Sequence, residues 1–220
     1  KKHKEFINIQ TSFSTQYPIT SYSRIKLLYQ RKISNTEQNS LQNSKIKSMG
    51  LGVDFNINNL TINSENYIGN KKYPDKTNRH INTIFRSEYF YKIFNNTTFT
   101  FTNNTQLIFS SKLQENEKLF FGGSNTLKGF FEDEFSSSKF SVFSNYLRYN
   151  LDSKTAAVLF IQKAFYREQN ETIQANSFGI GGEIINKIGL VYIEYAIGIS
   201  EYRSLNIRNG VIHIGIKNTF

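Results

Sequence analysis

Nucleophilic or metal chemistry needs a histidine, cysteine or serine held beside a base or at ligand spacing. The chain has no cysteine and three histidines. His3, His80 and His213 are too scattered to make a ligand set. Only His213 falls well inside a predicted strand, and no serine in a nucleophile motif accompanies it. The expectation is therefore a protein that is not an enzyme, with no metal and no cofactor; a barrel phospholipase would need a nucleophile positioned beside His213, which the sequence does not offer. The most specific spacing lies elsewhere. Residues 119–131 read Leu-Phe-Phe-Gly-Gly-Ser-Asn-Thr-Leu-Lys-Gly-Phe-Phe. The glycines Gly122, Gly123 and Gly129 let such a stretch turn tightly in a crowded place. The cation between them, Lys128, requires a partner wherever it leaves water.

The elements that must position this stretch alternate apolar and polar residues with a period of two. Eleven such segments can be marked: 4–15, 22–34, 44–56, 59–69, 82–94, 96–110, 138–151, 155–167, 175–186, 189–202 and 210–220. Asn/Gly/Ser/Asp-rich punctuation separates them. Their faces separate cleanly. In 189–202, Val191, Ile193, Tyr195, Ile197 and Ile199 oppose Tyr192, Glu194, Ala196 and Gly198. In 82–94, Phe85, Tyr89, Tyr91 and Ile93 oppose Arg86, Glu88 and Lys92. In 210–220, Ile212, Ile214 and Ile216 oppose His213, Gly215 and Lys217. Charges cost a few kcal/mol on a lipid-facing surface at mid-membrane, so the first set of each faces lipid and the second a wet interior. Tight turns such as Asn58-Asn59 and Asn95-Asn96 alternate with longer polar loops, the rhythm of outer-membrane barrels rather than of a soluble sandwich.

The expected fold is an all-β, transmembrane, antiparallel up-and-down barrel forming one domain over 1–220. Bacterial barrels mostly have even strand numbers, so twelve strands are expected, with ten and eight as alternatives and the weak stretch 57–81 as the place of a miscount. Composition agrees: 38% of residues are hydrophobic and 15% aromatic, with a formal charge of +10. A water-filled interior needs no large apolar core, and the aromatic content argues against disorder. Dispersed basic residues suit anionic lipid headgroups. They show no nucleic-acid signature, so nucleic acid is not expected as a partner. No apolar run reaches the ~20 residues of a spanning helix. No signal sequence follows Lys1-Lys2-His3-Lys4, so a mature or truncated chain is expected.

The 111–137 loop, with Phe120-Phe121-Gly122-Gly123 and then Leu127-Lys128-Gly129-Phe130, resembles the signature loop of the BamA-type outer-membrane assembly and secretion barrels. The resemblance covers about residues 82–220. It implies a loop folded into the lumen, its cationic tip paired with acids on neighbouring strands. Three departures from the family pattern stand out. The tip arginine is Lys128, which loses planar two-pronged hydrogen bonding. Arg148 and Gln162 stand where the family often has Glu and Asp. Another inward acid (Glu88, Glu183 or Glu194) must substitute, or glycine turns and aromatic packing must hold the loop alone. The terminal Phe220, after His213-Ile214-Gly215, resembles an outer-membrane sorting signal, although Asn218 replaces the usual aromatic. Gly215 suggests either relief of crowding or a kink that weakens a seam between 4–15 and 210–220. The resemblance implies a Gram-negative outer-membrane protein that assists insertion or translocation of other outer-membrane proteins, with nascent β-barrel proteins as partners. Alternatively it is an anchor or structural barrel within a larger chain or a homo-oligomer.

Overall fold

The computed structural model describes residues 6–36, 43–73, 76–111, 113–169, 171–187 and 189–217. Thirteen strands are described: β1 (Phe6–Pro18), β2 (Ser23–Thr36), β3 (Ser44–Ile57), β4 (Leu60–Lys72), β5 (Thr77–Phe94), β6 (Thr97–Ser110), β7 (Leu119–Phe121), β8 (Phe135–Ser137), β9 (Lys139–Asn150), β10 (Thr155–Glu168), β11 (Glu171–Asn186), β12 (Gly189–Ser200) and β13 (Val211–Lys217). Eleven of them form one sheet, ordered β1-β2-β3-β4-β5-β6-β9-β10-β11-β12-β13. Each hydrogen-bonds to its neighbour in sequence except at β6 and β9. There β7 and β8 pair apart from the sheet, inside the long loop. Strands β1 to β6 and β9 to β12 run from 12 to 18 residues, more than the ~9–11 needed to cross hydrocarbon at a tilt.

The described residues thus place eleven strands in the large sheet, and no twelfth. The stretch 57–81 contains β4 and the first turns of β5, which begins at Thr77 rather than at 82. Hydropathy hides that start because a polar residue, His80, occupies the buried face and is 4% exposed. The two short strands β7 and β8 were also invisible, being three residues each.

The chain divides into two compact units, Lys1–Arg86 with Thr105–Leu119, and Ser87–Asn104 with Phe120–Phe220. In the first unit β3 shows the period-two rule plainly. Met49, Leu51 and Val53 are exposed, while Ser44, Ile46 and Ser48 are buried. The root of the long loop packs on this buried face. Glu117 accepts from Ser44 Oγ at 2.5 Å and from Gln114 N at 2.9 Å, and it pairs with the fully buried Lys71. Asn116 beside it donates to Ser34.

In the second unit β10 carries Leu159 and Ile161 outward, against a buried row of Val158, Phe160, Gln162, Ala164 and Tyr166. On β12 the alternation has one exception. Ile197, expected on the outward face, is buried, where Phe178 stands opposite it across the ladder. The tight turn between β9 and β10 is fixed by Asp152, whose Oδ1 accepts from Lys154 N and Thr155 N at 2.7 Å each. Those two bonds hold the Asp152 carboxyl below its ordinary value. A depressed folded value means the contribution to stability is present above the unfolded carboxyl's range and is lost as pH falls through the folded one. Asp152→Ala is expected to lower the urea midpoint at neutral pH. The difference from wild type should vanish in strong acid, as the same denaturation series repeated there would show.

Candidate functional site

The 120–137 part of the loop lies on the buried face of β9, β10, β12 and β13. Its turns are glycine turns: φ is +118° at Gly122, +88° at Gly123 and +81° at Gly129. Thr126 Oγ1 closes the first of them, accepting from Gly122 N at 2.7 Å, and Gly123 N donates to Leu127 O at 3.0 Å. Aromatic rings then seat the loop. Phe121, with no exposed surface, stacks on Phe135 at 5.1 Å and on Phe140 at 4.6 Å, and meets Tyr166 edge-on at 5.3 Å. Phe130 meets Phe135 at 4.8 Å. Leu127 and Phe130 are fully buried.

At the tip both the side chain and the backbone are held. Lys128 Nζ lies 2.6 Å from both carboxylate oxygens of Glu194. It also sits 4.7 Å from the Phe160 ring centroid and 5.0 Å from that of Tyr146. Burial pulls the Lys128 ammonium below the usual lysine range, and Glu194 pulls it back only in part. Gln162 serves the loop backbone: Oε1 accepts from Lys128 N at 2.7 Å, and Nε2 donates to Thr126 O at 3.0 Å and Ser144 Oγ at 2.8 Å. The amide can do both jobs because it carries an acceptor and two donors; an aspartate could only accept. Gly129 N donates to His213 Nε2 at 3.0 Å. Gly129 lies so close to β12 that a Cβ there would stand 2.6 Å from Gly198 N, and a Cβ on Gly198 would stand 2.6 Å from Gly129 O.

Two partners of the tip escaped the sequence. Arg203, in the loop after β12, donates to Gly129 O at 2.9 Å, pairs with Glu134 at 3.3 Å and covers the Phe130 ring at 5.1 Å. Nothing local marks this arginine, since its role follows from where the 201–210 loop returns. Phe135 is the other, one phenylalanine among twenty.

Of the remaining residues singled out in the sequence, Arg148 Nε donates to Glu183 at 2.7 Å. Glu88, Lys128, Arg148, Glu183, Glu194 and Lys217 share the walls of a 270 Å³ cavity. Three cations and three carboxylates balance there, so the cavity is polar without being a trap for either sign. Gly215 leaves room for the Tyr192 ring, which a Cβ would strike. Phe220 lies outside the described residues. Among those described, no cluster of His, Cys, Asp or Glu is arranged to hold a metal ion.

No protein-family model matches the chain, and no curated protein matches it. Solved structures similar to this chain include CdiB and LpxR. CdiB from Acinetobacter baumannii, a TpsB outer-membrane barrel, aligns with a TM-score of 0.62 and 10% identity over 87% of this chain and 38% of that chain. LpxR from Salmonella typhimurium aligns with a TM-score of 0.38 and 9% identity over 93% of this chain and 85% of that one, a likeness too slight to argue from. The similarity to CdiB shows the fold: an all-β, antiparallel sheet of the outer-membrane barrel kind. This chain spans 38% of the length of the CdiB chain it matches.

Proposed function

We propose that the protein is an outer-membrane barrel of the BamA type that assists the insertion or translocation of other outer-membrane proteins. The observation that carries this reading is the Gly-Gly…Leu-Lys-Gly-Phe loop. Its cation, Lys128, meets an acid on a neighbouring strand, Glu194, and its backbone is held by Gln162 and His213. A loop fixed on the inner side of a barrel wall braces the strands that follow it. It leaves β13, with its single described neighbour β12, as the strand where a substrate strand would add by edge pairing. The partners on this reading are outer-membrane lipid at the apolar faces and nascent β-barrel chains at the edge; no nucleic acid is involved, and no chemical step is catalysed. His213 supports the last point, because its Nε2 accepts from Gly129 rather than from a hydroxyl.

The test is reconstitution in liposomes, following the folding rate of a nascent barrel. The reading predicts acceleration by the wild-type protein and loss of it when Lys128 is replaced. An unchanged rate with folded protein overturns it. The second reading, an anchor or structural barrel belonging to a larger protein or a homo-oligomer, is favoured by the 38% share of the CdiB chain and by the odd number of described strands. Edges left open in lipid are not tolerated, so on that reading further strands or a second copy complete the wall, and the insertion rate stays at baseline.

A further inference from the structure

We propose that His213 is a proton-operated latch on the loop tip: neutral, it holds the Gly129 amide against β13, and protonated, it releases that amide. The geometry fixes the protonation state. Gly129 N–H donates to His213 Nε2 at 3.0 Å, so that nitrogen carries no proton while the bond exists. An imidazolium donates from both nitrogens. Protonation therefore replaces an acceptor by an N–H pointed at another N–H, in a side chain that is 6% exposed.

The surroundings amplify this. Glu194 and His213 stand directly opposite each other across the β12–β13 ladder. Consecutive loop residues use them, Lys128 taking Glu194 and Gly129 taking His213. The charged groups facing His213 are thus Lys128 and Glu132 from the loop and Glu194 from β12. A second cation at His213 would compete with Lys128 for the Glu194 carboxylate, weakening two of the tip contacts through one proton while those of Gln162 and Arg203 remain. Histidine is the side chain whose ordinary titration falls where a modest acidification would throw such a switch. The latch depends on the placement of the tip and not on what the barrel does, so it stands whether or not the insertase reading does.

The test is amide exchange at Gly129 in the full chain, in lipid nanodiscs, corrected for intrinsic rates, at about pH 7.5 and about pH 5. Loss of one hydrogen bond predicts a fall of about tenfold in Gly129 protection on acidification, with a midpoint matching the His213 imidazole titration followed by NMR. His213→Gln offers an acceptor that does not titrate, so its protection should stay flat. Equal protection of the wild type at both pH values overturns the proposal. So does the same fall in His213→Gln, which would assign the response to Glu194 or Glu132. Should that variant fail to fold, the wild-type amide and imidazole midpoints decide alone, and a separation of more than about one pH unit between them rejects the latch.

Discussion

Valine in place of Gly129 is expected to eject the loop tip from β12. Two costs coincide there. The backbone φ of +81° is strained for any side chain and most of all for a β-branched one. The new Cβ would also stand 2.6 Å from Gly198 N and 2.8 Å from Ile197 C, both backbone atoms that cannot swing aside. Strain and overpacking together come to roughly 2–6 kcal/mol. The tip has an alternative that a core strand lacks: it can lift. The expected outcome is a folded barrel with a mobile loop, seen as rapid proteolysis after Lys128 and a lowered unfolding temperature in detergent. Gly198→Val attacks the same contact from the strand side, where Gly129 O and Phe130 Cε2 both lie 2.6 Å from the added carbon, and should produce the same release. Valine at Gly182, where the nearest atom to a Cβ is 4.0 Å away, serves as the control with little effect.

The second large effect concerns the buried pair. Lys128 is 5% exposed and Glu194 4%. Removing one partner strands the other charge, at a cost of about 3–5 kcal/mol. Lys128→Met and Glu194→Leu should each destabilise by that amount. The double variant should recover most of the loss, because an apolar pair of similar volume removes both desolvation costs at once. The aromatic rings of Phe160 and Tyr146 around the ammonium suit a methionine well. Equilibrium unfolding of the two single variants and the double one gives the coupling directly. Lys128→Arg is a gentler probe. Its larger planar guanidinium keeps the charge but must fit where a compact ammonium now lies between the Phe160 and Tyr146 rings and the Glu194 carboxylate.

Period-two alternation carried most of the wall. The segment 189–202 matches β12 (Gly189–Ser200) and 155–167 matches β10 because their outward rows are apolar residues at every second position, Leu159 and Ile161 on β10 and Ile193 on β12, while the inner rows include Gln162 and Glu194. It failed at Thr77–Ile81, where the buried side is polar and hydropathy has nothing to detect. It also failed at Ile197, whose burial beside Phe178 follows from ladder pairing. The loop motif was legible as glycines and a cation. Which of Glu88, Glu183 and Glu194 would take Lys128 was not, because that choice depends on strand register: Glu183 is occupied by Arg148, and Glu194 stands beside His213. Arg203, Asn116 and Glu117 were illegible for the same reason. Each is an ordinary polar residue whose partner lies tens of residues away. The root of the loop in particular holds to β2, β3 and β4 through side chains that no local pattern marks.

Everything rests on which face of the strands meets hydrocarbon. The absence of native cysteine allows single fluorophores to be placed at Leu159→Cys, Phe160→Cys and Ile161→Cys on β10 and at Ile212→Cys, His213→Cys and Ile214→Cys on β13, in liposomes containing lipids brominated on their acyl chains. The account predicts strong quenching at 159, 161, 212 and 214 and weak quenching at 160 and 213. Quenching without alternation, or strongest at 160 and 213, would contradict it.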